Sequence, residues 1–140
     1  KQTAPEGRTY SLGVNMKLKD IYTVDDHESG AEIQIRDGDG KLTPLWIKVR
    51  GVDSVRYRKQ LKIQKNAYRD ALLASNSKDI DEDKYVIKAL VECVISWRGT
   101  DEKFSKKLCE QLLTKAPFVR EQIDEFISVR ANFTKAKPKK

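Results

Sequence analysis

Histidine occurs once in this chain of 140 residues, methionine once, cysteine twice and proline four times. With only His27, a Ser-His-Asp or Cys-His site would hang on one ring in the polar run Asp25-Asp26-His27-Glu28. We read that ring as an exposed loop residue and the chain as non-enzymatic. Cys93 and Cys109 form no CxxC pair, and no histidines stand at zinc-site spacing, so no metal or other cofactor is expected. Both cysteines lie inside apolar segments, as reduced and buried thiols do, which fits an intracellular compartment. Glycine is scarce as well, and Gly38, Gly40 and Gly51 lack the GxxxxGK[ST] arrangement that cradles phosphate. Asp37-Gly38-Asp39-Gly40 departs from a calcium loop at its fifth position and has no glutamate at its twelfth, which leaves a hairpin turn. No apolar run approaches the ~20 residues needed to span a bilayer. Lys1–Asn15 is polar, unlike a secretory signal.

What the chain has in excess is positive charge, and the placement matters more than the total of +7. Residues 1–52 balance to zero, Asp53–Lys78 carry +5, Asp79–Thr134 carry −2 and Lys135–Lys140 carry +4. The basic character therefore sits in one segment and one tail around a mildly acidic remainder. Such a pattern suits a solvated helix face, a dock for an acidic protein, or nucleic acid.

Hydrophobic spacing divides the chain into a β region, 16–51, and a helical region, 53–134. Met16-Lys17-Leu18 reads as a natural start, which makes Lys1–Asn15 an unstructured leader or extension. Ile33 and Ile35 alternate with polar neighbours, and so do Leu45, Ile47 and Val49, which predicts a hairpin about Asp37–Gly40. Leu18, Ile21, Tyr22 and Val24 are candidates for a third strand or an edge. Asp53 or Ser54 caps a helix striped by Tyr57, Leu61, Tyr68 and Leu72 and ending near Ser75-Asn76-Ser77. Asp79–Asp83 lead acidically into a helix, apolar almost all round through Trp97 and stopped by Gly99. Ser105 caps a third helix with Phe104 before it, and Pro117 opens a fourth whose Val119, Ile123, Phe126, Ile127 and Arg130 share a face. Lys135–Lys140 is a basic mobile tail. The expected class is α+β: a small N-terminal antiparallel hairpin or sheet, then about four packed helices.

The order of motifs in the last third resembles the tail assembly chaperones of long-tailed (siphovirus-type) bacteriophages. The shared features are Trp97-Arg98-Gly99, Phe104-Ser105, Leu112-Leu113 leading to Ala116-Pro117, and the closing Arg120-Glu121-Gln122-Ile123 to Phe126 and Arg130-Ala131-Asn132-Phe133. Asp53–Lys59 after a hairpin and Met16-Lys17-Leu18 extend the likeness over about 16–134. It implies a small α+β protein of the host cytoplasm, absent from the finished virion. Such a protein keeps the tape measure protein soluble, helps to recruit the major tail protein, and self-associates into oligomers. It also implies a longer product from a ribosomal frameshift near the closing Lys-Pro-Lys-Lys. The alternatives are a structural tail or head–tail connector protein and a basic nucleic-acid-binding regulator. Arg56, Arg58, Lys59, Lys62, Arg130, Asn132 and Phe133 are the candidate partner-binding residues. Trp97, Gly99, Phe104, Ser105, Pro117, Ile123 and Phe126 form the structural signature.

Overall fold

A computed structural model describes residues 2–3, 9–10, 15–75 and 80–134. The segment expected to lack structure contains a short ladder, in which β1 (Gln2–Thr3) pairs antiparallel with β2 (Thr9–Tyr10). Leu18–Ile21 then forms a 3-10 turn and Val24–Ser29 the helix α1. This corrects the expected third strand, because Asp25 and Asp26 start a helix there and Gly30 ends it at φ 89°.

The expected hairpin is present as β3 (Ala31–Arg36) and β4 (Leu42–Val49), with Ile33 opposite Ile47. At its turn the Asp37 carboxylate accepts the N–H groups of Asp39 and Lys41. Side-chain acceptance of this kind lets a short polar loop replace ladder bonds. Helix α2 (Val55–Ser75) follows, and the buried Ser54 hydroxyl accepts the Tyr57 N–H at 3.0 Å, which makes Ser54 rather than Asp53 the cap.

Helix α3 (Glu82–Cys93) begins at Asp81, whose carboxylate accepts the Asp83 N–H. It ends earlier than the apolar run. Val94–Arg98 form the strand β5, which pairs antiparallel with β4 and places Trp97 opposite Ile47. Trp97 is therefore a strand residue and not the end of a helix, and the sheet order is β3-β4-β5. β-branched Val94 and Ile95 fit a pleated strand, and pairing with β4 outweighs the helical continuation of the pattern. Helices α4 (Lys106–Lys115) and α5 (Pro117–Ser128) start as expected: Ser105 accepts the Leu108 N–H, and Pro117 stands in the first turn. Arg130–Asn132 closes as a 3-10 turn. The class is α+β: among the described residues, a three-stranded antiparallel sheet with five α-helices, besides the short β1–β2 ladder.

Ile35, Ile47 and Val49 from the sheet meet Ile87, Leu90 and Cys93 of α3, Cys109 and Leu113 of α4, and Val119, Ile123 and Ile127 of α5. Each aliphatic side chain fully buried here contributes about 1.5–3 kcal/mol. Burial pushes the Cys109 thiol up to about 12 and Cys93 higher, so both behave as inert hydrophobes. Trp97 and Phe104 meet edge to face at 5.1 Å, and the Trp97 indole N–H donates to the Glu102 carbonyl. The other face of the sheet is polar: Arg98 pairs with Glu32 at 3.0 Å and lies over the Trp46 ring. Among the described residues no helix is long and apolar enough to cross a membrane. The expected stop at Asn76–Ser77 and the basic tail Lys135–Lys140 lie outside the described residues.

Candidate partner-binding surface

The cationic helix α2 is held in place at its first turn by a junction of side chains. None of the first-turn residues of α2 is acidic. A carboxylate arrives instead from α1, where Glu28 accepts the Val55 and Arg56 N–H groups at 2.9 and 3.4 Å. A negative charge at that end offsets the helix dipole and satisfies two donors. Glu28 also pairs with Arg50 at 3.2 Å.

Beside it, His27 is 1% exposed, which corrects the expectation of an exposed loop residue. Its Nδ1 accepts the Asp53 N–H at 2.9 Å, so the neutral ring carries its proton on Nε2. Nε2 lies 3.8 Å from the Asp53 carboxylate and has no hydrogen-bond partner among the described residues. Gly51 permits this packing, since a Cβ there would collide with Nδ1. Asp53 is the hub. Arg130 donates to both of its oxygens at 2.8 and 2.9 Å, Thr23 donates to one, and Arg58 lies 3.5 Å away. The Arg130 guanidinium holds the Asp53 carboxyl well below the usual carboxylate range.

Burial lowers the His27 pKa from 6.5. The folded ring thus binds a proton less readily than the unfolded one, and stability falls as pH drops below about 6.5. The bond from the Asp53 N–H requires the same outcome, because a doubly protonated ring has no acceptor at Nδ1. His27 is the only histidine. The urea midpoint of the native chain is therefore expected to decline between pH 7 and pH 5, and that of His27→Gln to stay level over the same window. Equal slopes for the two would exclude His27 as the cause.

Beyond this junction α2 and α3 form a two-helix arm. None of residues 58–75 of α2 is buried, nor is any of residues 82–86 of α3. Leu61, Ala67, Tyr68, Ala71 and Leu72 lie half-buried along α2, and Tyr68 meets Tyr85 of α3 with ring centres 5.5 Å apart. Between the helices a cleft of about 130 Å³ is lined by Leu61, Tyr68, Tyr85 and Val86, with Lys65 and Glu82 at its rim. Val55, Ile63 and Leu73 are exposed on α2 and Val86 on α3.

Arg56, Arg58, Lys59 and Lys62 are exposed on α2, as expected for a charged face. Arg56 pairs loosely with Glu92 at 3.8 Å, whereas Lys59 and Lys62 make no ion pair among the described residues. Arg130 is brought to the foot of this helix through Asp53, which it shares with Arg58. Asn132 is exposed but its amide donates to the Phe126 carbonyl. Phe133 is only 4% exposed, packed on His27 at 4.7 Å and on Phe126 at 5.5 Å. Its placement among surface anchors is corrected: two aromatic neighbours remove it from water. The signature residues Trp97, Phe104, Ile123 and Phe126 are core or border it, and Gly99, Ser105 and Pro117 shape the chain around them. A second cleft, of about 310 Å³, lies between the sheet and α4 and is lined by Leu45, Trp97, Leu108 and Leu112.

Thr23, His27, Glu28 and Asp53 were not candidate site residues in the sequence. The only local sign of their meeting is a glycine, Gly51, two positions before Asp53. Comparison with protein-family models, with curated proteins and with solved structures returns no match.

Proposed function

We propose that this chain is a non-enzymatic tail assembly chaperone of a long-tailed bacteriophage. In this reading it acts in the host cytoplasm, binds the tape measure protein, helps to recruit the major tail protein, and is left out of the finished virion. What supports the reading is the α2–α3 arm, taken with the motif order of the last third. A long amphipathic helix needs a temporary apolar neighbour with a charged border. The arm offers a half-buried stripe with Lys65 at its border, and lysines on the opposite face of α2, Lys59 and Lys62, that no acidic group neutralises among the described residues. A partner helix would complete a three-helix packing there, with an acidic position against Lys65, while Lys59 and Lys62 on the far face of α2 add to the field that draws an acidic partner. Charge of this kind sets encounter rate and register more than affinity.

Co-expression with the tape measure protein of the same phage tests the proposal. The expected result is a soluble complex with the native chain. The double variant Lys59→Glu, Lys62→Glu is expected to melt at the native temperature, because exposed lysines without ion pairs contribute little to stability. It is expected to leave the tape measure protein in the pellet. A tape measure protein that stays insoluble with the native chain would sink the proposal. Affinity for DNA that falls steeply with salt would favour the nucleic-acid-binding alternative instead.

A further inference from the structure

The cleft of about 310 Å³ between the sheet and α4 takes no part in the α2–α3 arm. Leu45 of β4 and Trp97 of β5 form one wall, and Leu108 and Leu112 of α4 the other. All four are half-buried, so the apolar floor stays partly wet when the chain is alone. The Trp97 wall is fixed in advance. Its indole N–H donates to the Glu102 carbonyl at 2.8 Å, and Phe104 meets the ring edge to face at 5.1 Å. A preformed apolar floor with a few polar groups at its border is the usual form of a binding cleft.

Its two ends differ in charge. Glu102 lies just before α4, and its carboxylate accepts the Thr100 hydroxyl at 3.2 Å. Lys115 lies in the last turn of α4. Leu108, Gln111, Leu112 and Lys115 recur at the three- and four-residue steps of one helix face, which runs for about 10 Å. Among the described residues neither Glu102 nor Lys115 makes an ion pair, and the Gln111 amide has no hydrogen-bond partner. All three are exposed, and the cleft is open to solvent along the helix. A free small molecule is held by enclosure, which an open groove does not supply. A side chain carried on a peptide brings its flanking residues onto the rim as well.

We infer that this cleft docks a peptide segment of another protein, in which one large apolar side chain lies between a basic residue and an acidic one. The apolar side chain enters between Trp97 and Leu112. The basic residue lies towards Glu102 and the acidic one towards Lys115, and Gln111 meets the backbone between them. A segment of one charge sign sets a like charge against one end of the cleft, and a repulsive contact of that kind is what gives selectivity. Apolar burial supplies the affinity, and the two charges supply the choice of partner. This site does not depend on the tail-assembly reading.

Short acetylated and amidated peptides with one central phenylalanine give a direct test. The phenylalanine is flanked by a lysine and a glutamate, by two lysines, or by two glutamates. The readout is the indole N–H resonance of Trp97, with that of Trp46 on the other face of the sheet as control. Trp46→Phe tells the two resonances apart. The Trp97 resonance is expected to shift while that of Trp46 stays in place. The mixed peptide is expected to bind about two- to fivefold tighter than either like-charged one. Alanine in place of its phenylalanine should weaken binding at least about tenfold. In Lys115→Glu the two-lysine peptide should become the tightest binder, and in Glu102→Lys the two-glutamate peptide, with both variants melting as the native chain does. No shift of Trp97 at the solubility limit of the mixed peptide would overturn the inference, as would an order of the peptides that neither substitution changes. So would phenylpropionate binding as tightly as the mixed peptide, which marks a small-molecule site. A Trp97 resonance that moves with the concentration of the chain alone would give the cleft to a second copy and overturn it too.

Discussion

Phe133→Ala is expected to lower the unfolding free energy by about 3–5 kcal/mol, the usual cost of emptying a well-packed aromatic site. The ring is 4% exposed and sits between His27 and Phe126. Its loss opens a cavity in a junction held by polar groups, which collapses less readily than aliphatic packing. His27 would then gain access to water, and the decline in stability between pH 7 and pH 5 should become shallower in the variant. Urea titration at two pH values measures both effects. A melting curve like the native one would mean that the ring is dispensable to the fold, and the residue would return to consideration as a surface anchor.

The second large effect is expected at Gly99. Its φ is 94°, in the left-handed region that side chains avoid at a cost of about 1–2 kcal/mol. A Cβ there would also collide with the Pro44 carbonyl, a backbone group, so that no flexible side chain can yield. Overpacking of this kind costs about 1–3 kcal/mol more. Gly99→Ala should therefore lose about 2–5 kcal/mol in all, by strain and by parting the end of β5 from the beginning of β4. Gly38→Ala is the control. A Cβ at Gly38 meets nothing within 4 Å, so that variant should stay within about 0.5 kcal/mol of the native chain. Equal melting temperatures for the two variants would refute the assignment.

Gly99 also shows how far local rules reach. Its presence after an apolar run reads as a helix stop, yet its actual task is to let a strand end pass close to Pro44. The difference arises at Val94–Trp97, where an all-round apolar pattern continues that of α3 and carries no sign of its change to a strand. Pairing with β4, some fifty positions earlier, decides the matter, and periodicity within one segment does not record it. Signals that act within a few residues were legible: Ser54, Ser105, Pro117 and the Asp37–Gly40 turn all do what their chemistry predicts. So were the exposed cations of α2.

The junction was not legible for the same reason. His27 stands among Asp25, Asp26 and Glu28, a neighbourhood that reads as solvent-facing. Its burial comes from Gly51 and Asp53 in one segment and Phe133 in another, both distant along the chain. Phe133 follows an arginine and an asparagine and resembles an exposed end. The 3-10 turn over Arg130–Asn132 and the bidentate pairing of Arg130 with Asp53 set it against His27 and Phe126.

That pairing spans 77 positions. A ribosome delivers Asp53 long before Arg130, and for all of that interval the carboxylate lacks its main partner and the His27 ring lacks its cover. Glu28 and Ser54 can hold the foot of α2 from the start, but its Asp53 pairing is completed only when Arg130 has left the exit tunnel. The cationic arm is synthesised before this ion pair can form, so its full anchorage joins two segments that lie far apart along the chain.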